Sequence, residues 1–399
     1  IGGGAAGFFA AINAAEAEPE ANVAILEKSP KLLSKVKVSG GGRCNVTHHC
    51  EYNSELVKNY PRGEKELRTA FEQFSVKDII QWFSKRGVRL KTEEDGRMFP
   101  VSDNSQTVID CFLGEAQRLG ITVKTRTEVR AVRKKESGFL LETSAGEMAC
   151  DSILVATGGN AREAAYEWLS ALGHTIVSPV PSLFTFNMPG NEITKLMGVS
   201  VPAAKTRIAG TRFESAGPLL ITHWGMSGPA VLKLSSLAAR DLFRMNYRFT
   251  LLVNWLPKYN GEKLRIELLK LREEQAGRFL HSSKPFGLPA RLWEFLLSKA
   301  GIKEDMRWAD LPKKQQNVLI NSLVSDAYPV SGKTTFKEEF VTCGGIALKE
   351  VDFSTMESRV VPGLYFAGEV LDVDGVTGGF NFQNAWTTAW IAARSMARK

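Results

Sequence analysis

The sequence predicts an α/β fold: a three-layer domain around a largely parallel sheet, built from two sequence segments and interrupted by a β-rich insert and a helical subdomain. Three observations predict it. A glycine-rich turn, Gly2-Gly3-Gly4-Ala5-Ala6-Gly7, opens directly into the apolar run Phe8 to Ala15. A continuous apolar strand, Ile153-Leu154-Val155-Ala156, opens onto Thr157-Gly158-Gly159. A third, Leu364-Tyr365-Phe366-Ala367, leads to Gly368-Glu369 and then to Gly378-Gly379 ahead of a closing helix. Buried parallel strands read as unbroken apolar runs, and open α/β sheets bind ligands at the carboxyl ends of their strands.

Within the first turn each glycine has a job. Gly2 makes a tight turn off a buried strand, Gly4 lets backbone N–H groups approach a pyrophosphate, and Gly7 lets the next helix pack closely on the sheet. The N-terminus of that helix offers unpaired N–H groups and the positive end of its dipole to an anion. The short strand Val23 to Leu26 ends in Glu27, twenty residues past Gly7, where an acid accepts hydrogen bonds from ribose hydroxyls. These residues together predict dinucleotide binding. Only Ile1 precedes Gly2 and no initiator Met is present, so the natural chain is expected to begin a handful of residues earlier.

The later elements follow in order. Lys35 leads to a second glycine cluster, Ser39-Gly40-Gly41-Gly42-Arg43-Cys44-Asn45, which suits a loop lying against a flat or anionic ligand. Residues 64–73 and 76–86 read as helices, the second opened by a Ser75/Asp78 capping box and closed by Gly87. A hairpin is expected over 89–99 and a helix over 105–119. Short strands at 121–125, 129–134, 138–143 and 147–150 make a β-meander that returns to Ile153. A helix over 161–172 precedes a domain exit at the proline-rich 178–182. Residues 184–255 alternate as strands, interrupted by Thr222 to Pro229 and a helix over 229–239 whose cap is Ser227. Periodicity makes 261–325 helical. The expected boundaries are a first segment of the nucleotide domain over 1–182, a β-rich insert over 183–258 plus about 326–340, a basic helical subdomain over 259–325, and the second segment over 341–399.

Composition narrows the class. Apolar, charged and aromatic fractions of 44%, 24% and 9% are those of a globular protein. No apolar run reaches the roughly 20 residues of a membrane span. Five scattered cysteines without a C-x-x-C pair argue for a reducing cytoplasm and against a zinc site, and no histidine spacing suggests a metal. The net charge of +8 is uneven, with sixteen Lys or Arg against nine Asp or Glu in residues 240–314. That segment raises an RNA partner, but it shows few exposed-looking aromatics among its charges and no single-strand-binding module, so RNA is disfavoured and a small-molecule substrate is expected. Oligomeric state is not legible.

Three glycine turns feeding one sheet describe a long cofactor lying across its edge, and noncovalent FAD fits better than NAD. The helix after Gly379-Phe380-Asn381 would aim its positive end where negative charge collects on a reduced flavin. No second Rossmann unit is present for NAD(P)H, which would have to dock without one if it is the donor.

The runs Ser39 to Thr47, Thr222-His223-Trp224-Gly225-Met226-Ser227-Gly228-Pro229 and Leu364 to Asn384, in this order, resemble a bacterial flavoprotein family of NAD(P)/FAD-dependent oxidoreductases. Its members include an aminoacetone oxidase and a bile-acid dehydro-reductase. The resemblance spans essentially the whole chain and implies a Rossmann-like FAD-binding domain in two sequence pieces. It implies that Gly2, Gly4, Ala5, Ala6, Gly7, Glu27, Lys28 and Lys35 lie around FAD. It implies the same of Gly41, Gly42, Arg43, Cys44, Asn45, Val129, Ala156, Thr157, Gly158, Gly368, Glu369, Gly379, Phe380 and Asn381. On the substrate side the candidates are Cys44, Asn45, Glu369 and His223, the last because an imidazole in a glycine-flanked loop exchanges protons near neutrality. The expected activity is hydride transfer between flavin and a small organic substrate, linked to NAD(P)H. The alternatives are an O2-using oxidase of an aminoacetone-type amine and an FAD-bearing RNA-modifying protein.

Overall fold

The computed structural model describes residues 1–335 and 341–398. Its contacts divide the chain into two units, Leu183–Thr335 and the segments on either side of it.

The first unit is organised by parallel strands. Ala24–Leu26 pairs in parallel with Thr122–Lys124, and Ile153–Val155 pairs in parallel with Leu364–Phe366. Ile1 and Gly2 join the two pairs: the Gly2 N–H donates to the Leu26 carbonyl at 2.8 Å, and the Ala156 N–H donates to the Ile1 carbonyl at 2.8 Å. The hydrogen-bonded order therefore runs from Thr122–Lys124 through Ala24–Leu26, Ile1 and Ile153–Val155 to Leu364–Phe366. The antiparallel strands Glu357–Ser358 and Val351–Asp352 extend it beyond Leu364–Phe366. On this sheet pack the helices Ala5–Ala17, Gln106–Arg118 and Phe380–Met396, whose Phe9, Phe112 and Trp386 join Phe74, at the end of Glu64–Gln73, and Trp82, on Val76–Ser84, in an aromatic cluster. The meander forms as Val129–Lys134, Phe139–Thr143 and Gly146–Cys150. The expected capping box is present, with the Ser75 N–H donating to Asp78 Oδ2 at 2.6 Å. The helix expected over 161–172 is shorter: a single tight turn at Glu163–Tyr166 and then Glu167–Ala171. Asn160 Oδ1 accepts the Arg162 N–H at 3.0 Å, and this side-chain turn competes with the helix start.

The second unit holds a seven-stranded sheet in the order Asp326–Ser331, Arg248–Asn254, Ser200–Ile208, Glu214–Thr222, Gly225–Ser227, Thr185–Asn187, Lys333–Thr334. Its neighbours pair antiparallel throughout. The helical stretch is three helices, Gly261–Glu274, Ala290–Lys299 and Lys313–Val324, because Pro289 and Pro312 stand at the N-caps of the last two. One apolar core joins the sheet to those helices: Leu264, Leu268, Leu292, Leu296 and Leu319 pack in the same cluster as Val201, Ile221 and Leu251. The residues expected as insert and as helical subdomain thus share a single unit. Of the expected insert segment 326–340, residues 336–340 lie outside the described residues.

Candidate flavin site

The site is built where the glycine turns of the first unit meet. The helix Ala5–Ala17 starts from Gly4 with no side-chain cap, so the N–H groups of its first turn are left for another acceptor. Gly7 must be glycine, since a Cβ there would lie 1.9 Å from the Gly2 carbonyl oxygen. Gly2 in turn presses on the next strand end, where a Cβ would lie 2.3 Å from the Ala156 oxygen. At Gly4, Gly41, Gly42 and Gly158, by contrast, a Cβ would meet nothing within 4 Å. Tight glycines set the backbone, and open glycines leave a cradle beside an uncapped helix end. That is the shape the pyrophosphate and flavin parts of FAD require, so the residues present fit this cofactor.

Glu27 sits at the end of its strand with both oxygens engaged: Oε2 accepts the Gly3 N–H and Oε1 the Ser29 N–H, each at 2.8 Å. Each carboxylate oxygen keeps a lone pair for a ribose hydroxyl. Lys28 is exposed beside it, and Val129 is half-buried at the head of the meander opposite Thr143. Ala6 lies against Gly368, whose Cβ would come 3.2 Å from the Ala6 Cβ, and the Gly368 N–H donates to Thr388 Oγ1 at 2.9 Å. Glu369 is a junction. It takes Lys35 Nζ at 2.7 Å and the Thr342 N–H at 2.8 Å, and a Cβ on Gly159 would run into it. Gly159, Lys35 and Thr342 therefore all meet at Glu369.

Two side chains of the second loop have partners within the chain. Arg43 is held by Glu93 at 2.6 Å and Asp103 at 3.5 Å while lying 3.9 Å above the Phe99 ring. Its charge is shared with protein carboxylates. Cys44 is fully buried at a φ of 62°, and burial pushes its thiol up to about 12. A buried thiol in this state packs as a small apolar group. Asn45 is also buried, and with its amide oriented to satisfy both ends, its oxygen accepts the Gly379 N–H at 3.0 Å and its nitrogen donates to the Thr47 carbonyl at 3.0 Å. This is a clamp between two glycine turns rather than a proton-transfer geometry.

The C-terminal turn is fastened from several sides. Gly379, at a φ of 96°, caps the helix Phe380–Met396 without a side-chain partner, and a Cβ there would lie 2.6 Å from the Thr47 carbonyl. Asn381 closes the loop by pairing both amide atoms with Gly375, at 2.8 and 2.9 Å. Phe380 is buried, and its carbonyl accepts from the Tyr60 hydroxyl at 2.7 Å. Its ring stacks on His48 at 4.6 Å, and the His48 Nδ1 lies 3.0 Å from the Gly378 carbonyl. Sequence reasoning missed Tyr60, Thr342, His48 and the pair Thr47–Gln383, which meet at 2.6 Å. Thr47 and Gln383 lie inside the runs Ser39 to Thr47 and Leu364 to Asn384, but only the long-range partners of these residues reveal their part in the site. His223 lies in the second unit, exposed between two strands with its ring 4.4 Å from that of Trp224.

The family model described as HI0933-like protein Rossmann domain matches residues 1–395. The chain belongs to this family. It is a family of FAD-binding oxidoreductases, and the flavin-dependent reading of the site stands on it. Among curated relatives, the chain is 33% identical to a ribosomal RNA dihydrouridine synthase of Escherichia coli (strain K12), covering 99% of this chain and 96% of that protein. It is 29% identical to a 3-dehydro-bile acid delta(4,6)-reductase of Clostridium scindens, covering 100% and 98%. Among solved structures, a 3-ketosteroid-delta4-(5alpha)-dehydrogenase from Rhodococcus jostii RHA1 shares the fold with a TM-score of 0.53 at 15% identity, covering 100% of this chain and 96% of that one. Among the described residues no helix is long and apolar enough to cross a membrane.

Proposed function

We propose that the chain reduces a carbon–carbon double bond conjugated to a carbonyl, with NAD(P)H as reductant and a uracil of ribosomal RNA as substrate. One observation carries the reading. Two curated relatives matched over essentially their whole length have names that share this chemistry, one acting on uridine in ribosomal RNA and the other on a 3-oxo steroid alkene. In each, the carbonyl withdraws electrons from the far carbon of the alkene, which makes that carbon the hydride acceptor. A proton then completes the neighbouring carbon, so that NAD(P)H, H⁺ and uridine yield NAD(P)⁺ and dihydrouridine. FAD, when bound, supplies the hydride between the two partners.

The chain's own groups support that role. The uncapped N-terminus of Phe380–Met396 offers fixed N–H dipoles where negative charge would develop, and Asn45, Asn381 and Tyr60 hold its first turn in place. Glu369 serves as a positioning residue between Lys35 and Thr342. Within this reading Cys44 is a packing group, and His223 is retained as the candidate for proton delivery. The second reading is a small enone substrate, which the bile-acid reductase relative favours.

The deciding experiment is nucleoside mass spectrometry of ribosomal RNA from a host strain lacking its dihydrouridine synthase, with and without this chain. Restored dihydrouridine supports the RNA substrate. Its absence, together with anaerobic NADPH-driven reduction of a 3-oxo-Δ4 steroid, moves the assignment to the small enone. Flavin indifferent to both NADH and NADPH in stopped-flow mixing removes the nicotinamide donor.

A further inference from the structure

Charge divides sharply along the chain. Leu183–Thr335 carries 22 Lys or Arg against 12 Asp or Glu, while the rest carries 29 against 31, so the whole positive excess belongs to the second unit. Most of it is not used internally. Of the 13 Lys and Arg between 258 and 314, only Lys270, with Glu267, and Lys299, with Asp326, form an ion pair among the described residues. Glu273, Glu274, Glu304, Asp305 and Asp310 lie in the same segments, yet none comes within 4 Å of those other cations.

One part of this surface is built to present a ring. Phe279 is 42% exposed although it sits in a well-fastened segment. It pairs as an antiparallel bridge with Arg307, whose guanidinium lies 5.6 Å from its ring centroid. On either side the Trp308 N–H donates to the Arg278 carbonyl at 3.0 Å and the Leu280 N–H to the Met306 carbonyl at 3.0 Å. Beneath the bridge, buried Trp293 donates to the Leu280 carbonyl and buried Trp308 to Ser283 Oγ. Arg272 reaches the Ala309 carbonyl at 2.5 Å, and Lys303 begins the turn that leads into Arg307. This places an exposed aromatic on a backbone ladder, with the Arg307 guanidinium beside it and Arg278 next in sequence, neither of them paired with a carboxylate among the described residues. Phe243, 51% exposed on the helix Ala239–Arg244, is a second exposed ring in a basic segment that was expected to show few.

We infer that Arg272, Arg278, Phe279, Lys303 and Arg307 form a docking surface for a single-stranded segment of RNA, with a base on Phe279 and phosphates on the cations. This rests on the RNA reading above and adds to it a place on the chain. Complementary charge selects a polyanion, and the flat, rigid ring selects one with unpaired bases.

The test measures binding of the FAD-loaded enzyme to ribosomal RNA free of dihydrouridine across a salt series. Arg278→Glu/Arg307→Glu is expected to weaken binding at least tenfold at about 100 mM salt and to reduce the slope of log K against log salt by about 2. Phe279→Ala is expected to weaken it about tenfold with the slope unchanged. Lys77→Glu in the first unit is the charge control. All variants should keep the flavin spectrum and the rate of flavin reduction by NADPH. RNA affinity of both variants equal to that of Lys77→Glu overturns the surface, as does retention of the wild type by anionic phosphatidylserine vesicles but not by RNA. Wild type that binds RNA tightly through these residues and makes no dihydrouridine defeats the proposed reaction and leaves the surface standing.

Discussion

The two units use their cations in opposite ways. In the first, Arg62 is locked to the buried Asp374, Arg86 bridges Glu16 and Glu115 over the Trp82 ring, Arg43 is held by Glu93, and Lys35 by Glu369. These charges fix backbone, and several of them fix the glycine turns. In the second unit the cations of residues 258–314 mostly face water, many touching only neutral groups, as Arg265 touches Asn317 and Arg291 the Lys195 carbonyl. A charge with a protein partner is part of the scaffold, whereas a charge without one is available to a ligand.

The comparison breaks first at the glycines that shape the first unit. Gly7→Ala places a methyl 1.9 Å from a backbone oxygen that cannot retreat, a clash expected to exceed about 5 kcal/mol, so little folded yellow protein should be recovered. Gly4→Ala meets no atom of the chain and should fold with a near wild-type melting temperature while losing FAD, because its methyl enters the cradle. Equal FAD retention by both variants would show that the cradle has been put in the wrong place.

Next comes the buried pair. Asp374 is fully buried, and Arg62 approaches both its oxygens while the Ser182 hydroxyl donates to Oδ2 at 2.8 Å. Arg62→Met removes the opposite charge from a fully buried carboxylate and should cost about 3–5 kcal/mol in urea unfolding. Arg278→Ala, which removes an exposed cation of the second unit, should cost less than about 0.5 kcal/mol. Comparable costs would mean that the second unit's charges are structural after all.

Much of this was legible in the sequence, for physical reasons that differ by element. The turn at Gly2 announces itself because close backbone approach leaves no room for a side chain, and those at Gly158 and Gly368 because their φ values of 71° and 75° favour glycine. Ser75 with Asp78 is an equally local signal. What escaped depends on distant partners. Nothing in Ser39 to Asn45 says that Arg43 will be neutralised by Glu93, fifty residues on, or that Asn45 will reach Gly379. Nor does the basic composition of 240–314 say that Phe279 will be lifted out of the core by its bridge to Arg307, since exposure is a property of packing.

A smaller effect should sharpen the role of Glu369. Glu369→Gln keeps an acceptor for the Thr342 N–H but loses the charge that holds Lys35, and about tenfold weaker FAD binding is expected, equivalent to about 1.4 kcal/mol. Thermal stability of the apoprotein should move less than FAD affinity does. The reverse order would make the contact one of folding alone.

The smallest effect concerns a charge that the first unit keeps out. The His174 ring is buried edge-on to Phe366 at 5.0 Å. The Ser358 oxygen already accepts the Val360 and Val361 N–H groups, at 3.0 and 2.8 Å, so its hydroxyl hydrogen is free to donate only toward His174 Nε2, 3.2 Å away. The ring proton then belongs on Nδ1, facing Glu350 at 3.4 Å. Protonating Nε2 would set two donors against each other. Burial pushes the imidazole below its usual value, and the Glu350 carboxylate only partly opposes this. The folded state therefore binds this proton less readily than the unfolded chain. Stability from this site is complete above about pH 6.5 and declines as the pH falls below it, while the unfolded histidine charges and the folded one resists. His174→Gln keeps an acceptor for Ser358 but cannot titrate, so its unfolding free energy should fall less between pH 7.5 and 5.5 than that of the wild type. A steeper decline in the variant would mean that the imidazolium is the favoured form in the folded protein, with Glu350 outweighing burial.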